Sequence, residues 1–120
     1  MATWRDVEEF LSQNFDSDMG MTALSGPEAF AAEVPNDFGI EVILVMNVSD
    51  VLVQFDGFLS PKAFNHLEKV FSLLDFFGIK KTDTGVALHH IAILETLDME
   101  ELIGPLNLMS KEMHKINKTL

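Results

Sequence analysis

Apolar residues first recur at helical spacing. Trp4, Val7, Phe10, Leu11 and Phe15 fall on one side of a helix, Arg5, Asp6, Glu8, Glu9 and Gln13 on the other, and Thr3 is placed to cap it. This spacing predicts a helix over residues 4–14. Asp16-Ser17-Asp18-Met19-Gly20 breaks the period and reads as a loop, and Ser25-Gly26-Pro27 is a second interruption. From Ala29 the period shortens. Ala29 to Val34 is ambiguous, Pro35 to Gly39 reads as a turn, and Ile40 to Val48 is rich in β-branched residues. Along that strand Ile40, Val42, Leu44, Met46 and Val48 share one face, while Glu41, Ile43, Val45 and Asn47 share the other. Apolar side chains on both faces predict a strand that is central or covered twice. Asn47 to Asp50 turns the chain into Val51-Leu52-Val53-Gln54-Phe55-Asp56, the expected antiparallel partner.

Ser60-Pro61 starts a second helix, because the Ser oxygen can accept from a free amide and Pro in the first turn has no amide to leave unpaired. Its expected stripe is Phe64, Leu67, Val70, Phe71, Leu74 and Phe77, with Gly78 as the stop. Lys80 to Gly85 reads as a polar turn, and Val86 to Leu97 returns to strand spacing as one strand or a bulged one. Asp98-Met99-Glu100-Glu101 has the form of a capping box, which opens a third helix at Met99. Met99, Leu102, Ile103, Leu106, Met109, Met113 and Ile116 give that helix an apolar side, and Gly104-Pro105 is expected to kink or split it. Residues 1–120 are thus expected to form one α+β domain, an antiparallel sheet packed with three helices in the order α-β-β-β-α-β(β)-α.

The chain's 120 residues suit one core, and 48% apolar content with ten Phe sets it apart from disordered compositions. Without cysteine there is no disulfide, thiolate nucleophile or Cys-based zinc site. No signal-peptide pattern opens the chain and no apolar run approaches the ~20 residues of a membrane span, so a cytoplasmic protein without membrane insertion is expected. Asp and Glu outnumber Lys and Arg by 19 to 8, a net charge of −11. Such a surface repels phosphates, which argues against nucleic acid, and would steer a basic partner.

No glycine-rich phosphate loop, His-Glu-x-x-His or Gly-x-Ser-x-Gly motif occurs. His89-His90 is the strongest chemical candidate, but strand neighbours point to opposite faces and cannot both grip one metal ion. Asp50, Asp56 and Asp83 flank turns, where aspartate commonly serves the backbone. With no Tyr or Cys and one Arg, the chain is poorly equipped for catalysis, and neither cofactor nor metal is expected. Methionine is adaptable at binding surfaces. Ile43 and Val45, with Val53 on the next strand and Met109 and Met113 on the last helix, are therefore the candidate partner-binding residues.

Several local patterns carry a resemblance: the first helix around Val7-Glu8-Glu9-Phe10-Leu11, the strands around Ile43-Leu44-Val45 and Val51-Leu52-Val53, the helix from Leu67 to Phe77 ending at Gly78, and the strand before Leu97-Asp98-Met99-Glu100-Glu101-Leu102. In these and in element order the chain resembles the type III secretion chaperone-like fold, shared with the YbjN-like family of small bacterial proteins. The resemblance implies a non-enzymatic, acidic, cytoplasmic homodimer that holds a protein or peptide client on apolar patches. Two other functions fit the residues. One is an acidic immunity protein against a basic toxin; the other is a small enzyme or ligand sensor built from His89 or His90 with Asp56 or Glu95.

Overall fold

The structure, a computed structural model, describes residues 2–18, 28–83 and 85–120. The expected loop positions Met19, Gly20 and Ser25-Gly26-Pro27 lie outside the described residues. Helix α1 spans Trp4–Asn14 and opens on a reciprocal cap, in which Thr3 Oγ1 accepts from the Asp6 amide and Asp6 Oδ2 accepts from the Thr3 amide at 2.9 Å. Strands β1 (Asp16–Ser17), β2 (Ala29–Asn36), β3 (Gly39–Asn47) and β4 (Leu52–Phe58) follow. A 3₁₀ turn over Pro61–Asn65 leads into α2 (Leu67–Leu73), then β5 (Gly78–Thr82), β6 (Gly85–Ile93) and α3 (Ile103–Thr119). The α+β class and element order are as the sequence predicts. The six strands of the described residues form one antiparallel sheet in the order β1-β2-β3-β4-β6-β5.

Several elements differ from the sequence reading. Asp16-Ser17, read as loop, is strand β1, paired with Glu33 and Ala32, and the strand expected to run to Leu97 ends at Ile93, before a 3₁₀ turn over Leu94–Thr96. The polar run after Gly78 is strand β5, not a turn: Lys80 and Lys81 pair with Ala87 and Val86, and charged residues are frequent on short edge strands because they discourage further pairing. The second helix is broken at His66 into a 3₁₀ turn and seven residues of α-helix, so its expected stripe never forms. Val70 and Phe77 are buried, while Phe64 and Phe71 face solvent. In the last helix, Gly104-Pro105 sits in the first turn of α3, where proline's missing amide costs no internal bond. The preceding Met99–Leu102 is a 3₁₀ turn capped by Asp98 Oδ1 on the Glu100 amide at 3.2 Å.

Side chains alternate along a strand, and directly paired residues share a face. Phe30, Ala32, Val34, Ile43, Val45, Val53, Phe55, Val86 and Leu88 all lie on one face and form the sheet's part of the core. The buried residues Trp4, Val7 and Leu11 of α1, Val70 of α2, and Leu106, Met109, Met113 and Ile116 of α3 join the same cluster. The helices therefore cover one face of the sheet.

Helix α3 lies over the middle of that face. A methyl group at Gly57 would stand 2.6 Å from Met113 Sδ and 3.1 Å from Met109 Sδ, so the bare glycine backbone is the floor on which the two thioethers rest. Polar side chains of the helix then fix the surrounding loops. Ser110 Oγ donates to Val34 O at 2.8 Å, Asn117 Oδ1 accepts from the Ser60 amide at 2.7 Å, and Glu112 Oε1 accepts from the amides of Asp75 and Phe76.

Gly57→Ala is expected to destabilise the fold by about 1–3 kcal/mol, the usual cost of overfilling a packed core. Met113→Ala removes the colliding sulfur. In urea denaturation the double variant should lose less stability than the sum of the single losses; strict additivity would show that the two positions do not touch.

Candidate functional site

The five residues expected to bind a partner are in the core. Ile43, Val45 and Val53 sit on the helix-covered face and Met109 and Met113 fill the space above Gly57, all five essentially without solvent exposure. The reason is register. A strand with apolar residues on both sides does not reveal which side the helices will take, and they take the Ile43/Val45 side.

The other face has a different character. Paired residues place Ala31, Leu44, Asp56 and His89 in one row across it, Ala29, Met46, Gln54 and Ile91 in the next, and Leu52 beside Ile93 in a third. None of these residues belongs to the helix-packed core cluster. Ile91 is 46% and Ile93 55% exposed, and Val48 and Val51 at the adjoining turn are exposed as well. An apolar strip thus runs along one end of this open face.

A polar centre adjoins the strip. The Asp56 side chain retains only 2% of its exposure, and its carboxylate is fully engaged. Oδ1 lies 2.7 Å from His89 Nδ1, and Oδ2 accepts from Gln54 Nε2 at 2.7 Å and from Lys80 Nζ at 3.4 Å. A buried carboxylate is tolerated when such partners replace its lost water. His89 Nδ1 is turned to the carboxylate, which assigns the proton to Nδ1 and leaves Nε2 as the free ring nitrogen.

The sequence anticipated part of this centre. Asp56 and His89 meet, as the enzyme-or-sensor reading required, whereas Glu95 lies in the 3₁₀ turn after β6 and His90 points to the opposite face. There His90 stacks obliquely on Phe55, with centroids 5.5 Å apart, and meets Phe77 edge-on at 5.7 Å. Burial lowers the His90 pKa below the ordinary 6.5, with a further push from the charge of His89. Gln54 and Lys80 were missed. Gln54 had a signal, since Gln54 and Asp56 alternate with Val53 and Phe55 and mark a polar stretch of one face; Lys80 had none, because its strand reads as a turn.

Of the remaining candidates, Asp50 and Asp83 are exposed in turns. His66 joins the 3₁₀ turn to α2, and His114 of α3 stacks on Phe38 at the tip of the β2–β3 hairpin, with centroids 4.4 Å apart. Beneath that helix end, burial raises the Glu41 pKa above 4.5, opposed by the charge of His114. Among the described residues no three His, Asp or Glu side chains converge to hold a metal ion, and no helix is long and apolar enough to cross a membrane. No family model, curated protein or solved structure matches the chain.

Two outcomes follow from the two faces. Asp56→Ala strands three donors around an empty site and should cost about 1–3 kcal/mol in denaturant unfolding; an unchanged midpoint would show that the cluster contributes nothing to the fold. For His90, the folded state resists a proton that the unfolded chain accepts, so its contribution is complete above pH 6.5 and is lost as pH falls below it. Glu41 acts in the opposite direction, gaining stability as pH falls toward 4.5. Replacing His90 with Leu should therefore remove a destabilising response between pH 7.5 and 5.5, measured by unfolding midpoints; a pH response identical to that of the unaltered chain would refute the assignment.

Proposed function

We propose that the chain is a non-enzymatic, chaperone-like protein that holds a segment of a protein client on the open face of its sheet. The observation that carries this reading is the pair Ile91 and Ile93, roughly half-exposed on a strand whose alternate residues reach the core. Large apolar side chains left on a surface in a contiguous strip, rimmed by polar groups, are characteristic of interaction sites.

The strand edge supports the same reading. β5 pairs with β6 only from Gly85 to His89, so the outer edge of β6 from His90 to Ile93 has no described strand beside it. An extended client segment laid along that edge gains main-chain hydrogen bonds, while alternate side chains reach the strip of Met46, Leu52, Ile91 and Ile93. Such binding is tolerant of client sequence, because the backbone supplies affinity and the apolar floor asks only for apolar side chains. A catalytic role has less support: Asp56 and His89 form a dyad, but no serine, threonine or cysteine hydroxyl or thiol is bonded to His89 as a nucleophile among the described residues.

The resemblance to secretion chaperones adds a homodimer to the proposal, tested by light scattering at low and high salt. A dimer that survives high salt fits an apolar interface. The client site itself is tested with Ile91→Asp/Ile93→Asp. Exposed positions tolerate substitution within about 0.5 kcal/mol, so the unfolding midpoint should hold while binding of a hydrophobic dye and retention of an unfolded model client are lost. Undiminished dye and client binding would remove the open face from the proposal; a monodisperse monomer that binds neither would end the chaperone-like reading.

A further inference from the structure

The polar centre beside the strip has an unbalanced hydrogen-bonding capacity, and that imbalance specifies what can sit against it. Both oxygens of Asp56 are engaged, Oδ1 with His89 and Oδ2 with Gln54 and Lys80. Its partners retain donors. An ammonium has three N–H groups. Lys80 commits one of them to Asp56 and is 41% exposed, so two remain for another acceptor. Gln54 keeps the second proton of its amide nitrogen. His89, 27% exposed, spends its Nδ1 proton on Asp56, so the unspent donors are those of Lys80 and Gln54.

These groups stand next to the apolar strip. Gln54 pairs directly with Ile91, and His89 is two residues before it on the same strand, so its side chain shares the face. Any apolar segment seated on Ile91 and Ile93 brings its neighbouring residue over a set of unspent donors anchored by a buried carboxylate. A neutral aliphatic residue there would strip water from Lys80 without replacing it. A carboxylate supplies the missing acceptor in charge-assisted bonds.

From this we infer that the open face recognises an apolar client segment that carries an acidic side chain, the carboxylate docking on Lys80 and Gln54. The inference rests on the client-holding reading and adds the chemistry of the client. It also distinguishes local recognition from overall charge. The chain's net charge of −11 disfavours acidic partners at long range, but at physiological ionic strength charges beyond about 8 Å are largely screened. The contact is therefore governed by the groups that touch it. The other described strand carboxylates on this face are Glu33 of β2, which pairs with Val42 of β3, and Asp16 of β1, which pairs with Glu33; they lie two and three strands from Asp56.

The test uses two end-blocked pentapeptides, acetyl-Leu-Ile-Glu-Ile-Leu-amide and its Gln counterpart, titrated into the full chain at physiological salt and followed by amide chemical shifts. The Glu peptide should bind about tenfold more tightly, the scale of a hydrogen bond to a charged group. Lys80→Met should abolish that preference. Lys81→Met serves as the control, because Lys81 is the adjacent residue of β5, points to the other face and lies over the Phe64 ring at 4.7 Å; it should leave the preference intact. Equal binding of the two peptides, with shifts at Ile91 and Ile93, would overturn this inference and leave the client-holding reading standing. A preference lost equally in Lys80→Met and Lys81→Met would overturn it in favour of general electrostatics. Decanoate binding with the same dependence on Lys80, while neither peptide binds, would overturn the assignment to a protein segment. No binding of any of the three probes would overturn both readings.

Discussion

The close seating of α3 on the sheet is the constraint on which the rest of the structure depends. A helix packed over a strand ordinarily rests on the strand's side chains; here Met109 and Met113 rest on Gly57, which has none. Close approach lets polar groups of the helix reach neighbouring backbone: Ser110 reaches β2, Asn117 reaches the Ser60 amide, and Glu112 reaches the amides after α2. Each of these bonds satisfies a backbone group that would otherwise be poorly paired where loops meet a packed surface. Truncation of either methionine to alanine, on the scale of about 2–5 kcal/mol for large core side chains, would loosen the floor and these ties together.

With every described helix drawn to that face, the opposite face can be something other than core. It combines two features that folding alone does not require: isoleucines left substantially in water and a carboxylate almost wholly removed from it. Burying a carboxylate costs several kcal/mol unless its partners are well placed, and replacing the group by an apolar residue is commonly neutral or favourable. Asp56 is tolerated there through its arrangement with His89, Gln54 and Lys80.

His89 and His90 show how far one residue of strand register changes chemistry. His89 faces a carboxylate on the open side, and His90, beside Phe55 and Phe77, faces the core, where burial favours its neutral form. The same alternation decides the fate of Ile43 and Val45 against Leu44 and Met46. On β3 the two sets are chemically alike, and only the position of α3 makes one set floor and the other surface.

The sequence by itself determined the local elements wherever a periodic pattern coincided with chemical punctuation. Thr3 and the heptad-like spacing of Trp4, Val7 and Leu11 specify α1, the β-branched run from Ile40 to Val48 specifies β3 and the turn after it places β4 as its antiparallel partner, and the order α-β-β-β-α-β(β)-α follows from the succession of periods. It also determined that His89 and His90 would face apart. The tertiary structure alone decided which sheet face the helices cover, because both faces of β3 are apolar and the choice lies in contacts such as Met109 and Met113 on Gly57, far apart in the chain. It decided that Lys80 is a strand residue, since a short charged strand gains its pairing from β6 rather than from its own propensity. And it alone assembled the polar centre, because Gln54, Asp56, Lys80 and His89 come from three strands, and their shared face is a property of register between strands, which no local pattern encodes.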